Sequence, residues 1–224
     1  HCFDRETEKS AIQHAYNSLI DDGLEAFSSE MQQSPIDVDQ EKSRGLATVE
    51  TICGKLNNIP RGTVPAECET LTAFIDVQQD CLFWLVAAWG RTFDGSVVDY
   101  GTFPDQGREH FALIDIRRTL SERFPGRGLE GCLYAGLDEL TQHLACREWP
   151  RHGTGVSRVA RVMIDANWGQ STDVVYKLCR QSPHAAIILP SHGRGITAGN
   201  LPISLWHPKP GERKGRNWVL TRGD

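Results

Sequence analysis

Three apolar runs decide the fold: LTAFIDV (71–77), CLFWLVAAWG (81–90) and SVVDYG (96–101). Each is rich in β-branched or aromatic residues and reads as a strand. The breaks between them, QQD (78–80) and RTFDG (91–95), are too short for a crossover connection. Neighbouring runs must therefore pair antiparallel, as a three-stranded meander.

Downstream the period changes from two to that of a helix. In REHFALIDIRRTLSERF (108–124) Leu113, Ile116, Leu120 and Phe124 fall on one stripe, which predicts a helix stopped by Pro125 and Gly126. A second stripe, Leu133, Leu137, Leu140 and Leu144, predicts another helix before the loop Trp149–Gly155. VARVMID (159–165) is then a strand, STDVVYKLCRQS (171–182) a helix capped by Ser171 or Thr172, and AAIILP (185–190) a further strand. The order is three strands, helix, inserted helix, strand, helix, strand. It predicts an α/β chain with a ribonuclease H-like fold: a mixed sheet in which an antiparallel three-stranded meander is extended by parallel strands, with flanking helices.

Upstream, SAIQHAYNSLIDDGLEAFSSEMQ (10–32) has helical spacing in Ile12, Ala15, Tyr16, Leu19 and Ile20, predicting one or two helices ending near Gln33. A polar stretch with Pro, Gly and Asn follows to Pro65, read as a linker with short elements at most. The compact domain is placed at 69–224, after a helical connection and linker at 1–68. A strand is expected at Asn217–Thr221.

Composition excludes several classes. At 224 residues, 39% hydrophobic and 24% charged, the chain is neither fibrous nor disordered. No stretch approaches the roughly 20 apolar residues of a membrane span, and HCFDRETEKS is too charged for a signal peptide, so the chain reads as intracellular. Seven scattered cysteines without a C-x-x-C pair read as free thiols. The net charge of −5 is unevenly spread. Residues 1–50 carry 4 Lys/Arg against 11 Asp/Glu, net −7, whereas 190–224 carry 6 against 2, net +4. A polyanion would meet the C-terminal part.

Two aspartates end apolar strands, Asp76 in AFIDVQ and Asp165 in VMIDANWG. In the expected sheet the first and fourth strands are neighbours, about 4.8 Å apart, and both carboxylates emerge at one edge. Carboxylates so close repel unless a proton or cation lies between them. Their hard oxygens suit Mg²⁺ or Mn²⁺, and a pair of such ions can drive phosphodiester hydrolysis. The bland alternative is that each Asp terminates its strand by accepting backbone hydrogen bonds.

Other residues stay open between two readings. Asp99 either approaches the same edge as an outer partner of the metal site or points to solvent. His192 is a proton shuttle, a substitute ligand or an ordinary loop histidine. Asn167 leads into a helix N-terminus that favours a phosphate. The loop SHGRGITAGN (191–200), with Arg194, and the cations Lys209, Arg213, Lys214 and Arg216 have the charge to follow a phosphate backbone, or form a solvated basic tail. Asp80 and Asp94 are read as turn formers. Gly126, Gly128 and Gly131 spell G-x-G-x-x-G after a helix instead of a strand, so they read as a helix-to-helix turn and not as a dinucleotide site. No G-x-x-x-x-G-K-[ST] is present, so ATP hydrolysis is not expected of this piece.

The phrases themselves carry a resemblance. LTAFIDVQQDCLFWLVAAWGRTFDGSVVDYGTFPDQ (71–106) resembles the opening of the nuclease domain of phage or prophage terminase large subunits, with its Asp-Val-Gln, Ala-Trp-Gly and Asp-Tyr-Gly strand ends. VMIDANWGQSTDVVY (162–176) resembles that family's second metal-binding block, and the helix-rich start its connection from an ATPase domain. The resemblance implies that Asp76 and Asp165 are catalytic metal ligands for Mg²⁺ or Mn²⁺, as two ions. It implies an endonuclease cutting double-stranded, concatemeric DNA during genome packaging in the host cell cytoplasm. The implied partners are the terminase small subunit, the portal protein and an ATPase domain of the same polypeptide. A third acidic ligand is expected after the fifth strand, where the chain offers Glu212 and Asp224; otherwise it lies beyond residue 224. A non-catalytic DNA-binding or docking module from a degenerate prophage terminase, and a ribonuclease H-like resolvase or transposase core, are the competing readings.

Overall fold

A computed structural model describes residues 10–26, 47–108, 113–193, 203–215 and 217–221. The chain divides into two compact units, Leu56–Gly193 and a second formed by His1–Lys55 with Arg194–Asp224.

The larger unit is built on a five-stranded mixed sheet. Its strands are β1 (Thr70–Val77), β2 (Leu82–Trp89), β3 (Gly95–Phe103), β6 (Val159–Asp165) and β7 (Ile188–Ser191), in the order β3-β2-β1-β6-β7. β1, β2 and β3 pair antiparallel, while β1–β6 and β6–β7 are parallel. The short turns thus produce the expected meander, and parallel strands extend it. Two two-residue strands, β4 (Trp149–Pro150) and β5 (Val156–Ser157), pair separately across the 149–157 loop.

Alternation along β1 puts Leu71, Ala73, Ile75 and Val77 into the core and leaves Thr72, Phe74 and Asp76 half-buried on the opposite face. The core side meets Leu133, Leu137, Leu140 and Leu144 of one helix (Gly128–Cys146) and Val174, Val175 and Leu178 of another (Gly169–Gln181). Each leucine fully withdrawn from water contributes roughly 1.5–3 kcal/mol, so the stripe at 133–144 accounts for much of the attachment of its helix.

Between β3 and that stripe the structure corrects the sequence reading. Instead of a long helix ending at Phe124 there is a 3₁₀ turn, Leu113–Asp115, and a single α-turn, Leu120–Arg123; 109–112 lie outside the described residues. The physical reason is local competition for backbone bonds. Thr119 and Glu122 form a reciprocal capping box that starts a new helix at Leu120. The buried Gln106 side chain takes up what a continuous helix would have paired. Its Oε1 accepts Arg117 N at 3.0 Å and Arg118 N at 3.1 Å, and its Nε2 donates to Arg118 O at 2.7 Å and Pro104 O at 3.0 Å. We number the helices in chain order α1 (Ala11–Ala26), α2 (Val49–Cys53), α3 (Leu120–Arg123), α4 (Gly128–Cys146) and α5 (Gly169–Gln181).

Two smaller corrections concern ends. Ser171 and Thr172 do not cap α5: their hydroxyls donate back to carbonyls, Ser171 to Trp168 and Thr172 to Ala166 and Trp168. The N-cap is Trp168, without a side-chain cap. β7 begins at Ile188 and not at Ala185, because 182–187 is occupied by turns, Ala185 N to Ser182 O and Ile187 N to His184 O. Gly126 (φ 77) and Gly128 (φ 66) make the left-handed bend between α3 and α4 that the glycine spacing announced.

In the second unit α1 carries the predicted N-terminal helix and α2 is the short element within the 34–65 stretch. A 3₁₀ turn at Ile203–Leu205 is followed by the hairpin β8 (Arg213–Lys214) and β9 (Val219–Leu220). The strand expected at 217–221 is present as β9. Among the described residues no helix is long and apolar enough to cross a membrane, and six cysteines are free thiols.

Candidate active site

Asp76 and Asp165 stand at the C-terminal ends of β1 and β6. The parallel register pairs Ile75 with Ile164, so the next residues along are at the same level of the sheet. Ile75 and Ile164 are buried among the helices, and alternation turns Asp76 and Asp165 together to the other face, both half-buried. Phe83 of β2 lies across from Asp76, and Ser191 of β7 across from Asp165.

Each carboxylate receives one hydrogen bond from the residue two positions on. Gln78 Nε2 donates to Asp76 Oδ2 at 2.9 Å, and the backbone N of Asn167 donates to Asp165 Oδ1 at 3.2 Å. The remaining oxygens make an acidic edge of the kind that takes a hard cation. Among the described residues, no group of three His, Cys, Asp or Glu is placed to hold a metal.

Asn167 and His192 are brought to this edge and are tied to one another. Asn167 Nδ2 donates to Gly193 O at 3.0 Å, which leaves its Oδ1 to face His192 Nδ1 at 3.3 Å. An amide oxygen only accepts, so Nδ1 carries a proton, while Nε2 is hydrogen-bonded with the Tyr176 hydroxyl at 3.1 Å. The result is a chain Asp165–Asn167–His192–Tyr176 from the end of β6 across the end of β7 to α5. Asn167 thereby has its amide engaged within the protein.

Asp99 is not brought to the edge. It pairs with Val86, which pairs with Ala73, and both are buried under the helices. Asp76 sits instead in the row with Phe83 and Thr102, on the opposite face. Asp99 is 7% exposed. Its Oδ1 accepts Arg61 Nε at 2.6 Å and Tyr100 N at 2.9 Å, and its Oδ2 accepts Arg147 Nη1 at 3.2 Å. Arg61 also lies over the Tyr100 ring and Arg147 over the Trp149 ring. Arg61, Asp99, Tyr100 and Arg147 border a cavity of about 1090 Å³ beside α4.

Of the basic residues, Lys209 and Arg213 are exposed, whereas Lys214 Nζ donates to Ser204 O at 2.9 Å and Trp206 O at 2.6 Å. Arg194, Arg216 and Asp224 lie outside the described residues. Glu212, in the second unit, accepts Lys209 N at 2.8 Å through Oε2. Asp94 accepts the Thr92 hydroxyl within its own turn, and Asp80 belongs to the β1–β2 turn. The sequence reading missed Gln78 and Tyr176. Gln78 had a signal, because alternation puts residue 78 on the face of residue 76; Tyr176 had none.

No curated protein matches the chain. A solved structure, the Aquifex aeolicus member of the Ppx/GppA protein family, is 11% identical over 55% of this chain, which spans 35% of that one, at a TM-score of 0.23; a likeness so slight carries no argument. The family model described as "Terminase large subunit gpA, endonuclease domain" matches residues 40–219, which include the whole five-stranded sheet and both carboxylates. The chain belongs to the family of terminase large subunit gpA endonuclease domains.

Proposed function

We propose that this chain cuts double-stranded DNA during genome packaging, as a divalent-metal endonuclease with a ribonuclease H-like fold, and that Asp76 and Asp165 are its metal ligands. The observation that carries this reading is their shared level and shared face at the ends of two adjacent parallel strands. Two acidic oxygen donors in this relation suit Mg²⁺ or Mn²⁺ and leave positions for water and phosphate. Bound there, a pair of such ions supplies an activated water and charge stabilisation at the leaving oxygen. Asp76 and Asp165 anchor, Gln78 and Asn167 fix their carboxylates, and His192 with Tyr176 borders the place where a phosphate would lie. Lys209, Arg213 and, outside the described residues, Arg194 and Arg216 would hold the DNA backbone. The small subunit, the portal and an ATPase domain are the proposed partners, and the host cytoplasm the proposed place of action.

Asp76→Asn and Asp165→Asn test this in a plasmid-cleavage assay with Mn²⁺. Both variants should lose cleavage and stay folded, since removing one of two neighbouring charges relieves their repulsion in the absence of metal. Full activity in both would remove these residues from catalysis. The second reading, a non-catalytic DNA-binding or docking module, is favoured by the lack of a three-residue metal group among the described residues. It would be supported by DNA binding without cleavage in any divalent metal.

A further inference from the structure

We infer that Gln78 is a positioning residue for the metal site, an inference that rests on the metal reading of Asp76. The argument begins with geometry. A carboxylate at a strand end rotates about its Cβ–Cγ bond through a broad, two-fold well, so an unrestrained Asp76 would present its oxygens to Asp165 in many orientations. The Gln78 Nε2 bond to Asp76 Oδ2, 2.9 Å, selects one. It occupies one oxygen with a donor and leaves Oδ1 unclaimed by it. A ligand prepared in this way loses less freedom when a cation arrives.

Gln78 is itself held from two sides. Its backbone N donates to Cys81 O at 3.2 Å, closing the β1–β2 turn. The same turn is gripped from outside, because Leu120 N donates to Asp80 O at 2.8 Å. Leu120 is 1% exposed and opens α3 behind the Thr119–Glu122 capping box, and the chain before it is fastened by the three bonds that Gln106 makes to Arg117 and Arg118. A succession of fixed groups therefore runs from Gln106 through Leu120 and the turn to Gln78 and Asp76. The break in the expected long helix is what frees Leu120 N for this bond, since inside a continuous helix that N–H would pair with residue 116.

The test is Mn²⁺ binding to the full chain, followed by electron paramagnetic resonance, alongside thermal melting. Gln78→Met keeps the length of the side chain and removes the donor; Gln78→Ala removes both. Each should weaken Mn²⁺ binding about tenfold or more and broaden the bound-ion spectrum, with a melting temperature within about 2 °C of the parent chain. A structural role alone would lower the melting temperature and leave the affinity unchanged. Affinities within twofold of the parent in both variants, while Asp76→Asn loses binding, would overturn the role of Gln78 and leave the metal site standing. A parent chain that takes up no Mn²⁺ would overturn the metal reading and this inference together.

Discussion

Arg147, at the end of α4, donates to Asp99 on β3, Nη1 to Oδ2 at 3.2 Å, so that one buried carboxylate fastens the helix to the outermost strand. Arg61 completes the arrangement from the other side at 2.6 Å. Asp99→Ala should cost about 2 kcal/mol, because two cations lose their counter-charge, softened by the partial exposure of both arginines. Urea unfolding measures this. Mn²⁺ binding should be unaltered, and a weakened affinity would show that Asp99 reaches the acidic edge after all.

Gly136 of α4 packs against Leu120, the first residue of α3. A Cβ added there would stand 2.5 Å from Leu120 Cδ2, a side chain enclosed by the core. Gly136→Ala gains about 1 kcal/mol of helix propensity and should lose more through overpacking of about 1–3 kcal/mol. A net loss of stability in chemical denaturation is expected; a gain would mean that Leu120 is free to move.

The thiols should separate by reactivity. Burial pushes Cys81 and Cys179 from an ordinary value of 9.0 up to about 11, with Asp80 and Asp76 adding to the rise at Cys81. Cys53 and Cys146 are exposed. At pH 8 a maleimide should modify Cys53 and Cys146 and spare Cys81 and Cys179, read by peptide mass spectrometry. The folded state keeps these two protons where the unfolded chain has shed them, so their contribution to stability is intact below about pH 9 and falls as pH rises towards 11. Rapid labelling of Cys81 at pH 8 would contradict its burial.

The basic tail should act on DNA through phosphates. Arg213→Ala with Arg216→Ala should flatten the dependence of log affinity on log salt by roughly one unit per lost contact. Lys214→Ala should change the slope less and lower stability instead, because its ammonium already holds Ser204 O and Trp206 O. An unchanged slope in the double variant would direct the search for DNA contacts to another face.

The strands that carry the carboxylates were legible because their signals are local: two breaks too short for anything but hairpins, and two aspartates each closing an apolar run. The stretch 108–124 misled for the opposite reason. Its apolar spacing is helical, but Gln106, outside the segment, takes the backbone groups of Arg117 and Arg118, and Thr119 restarts the helix. A stripe of Leu and Ile does not reveal a competitor that lies elsewhere in the chain. Asp99 shows the same limit within the site. Its residue type suggested an ally of Asp76, and only the strand register turns it to the other face.

The parallel pairing of β1 with β6 has a consequence for how the chain acquires its acidic edge. Asp165 lies 89 positions after Asp76 in the chain, with β2, β3, α3 and α4 between them. The hairpins of the meander close over short loops and form early, whereas the β1–β6 contact must wait for the whole crossover and bears the larger loss of chain entropy. Asp76 is therefore presented first, alone and without electrostatic conflict, and the repulsion of a second carboxylate is met only after hydrophobic pairing of Ile75 with Ile164 has committed the two strands to each other.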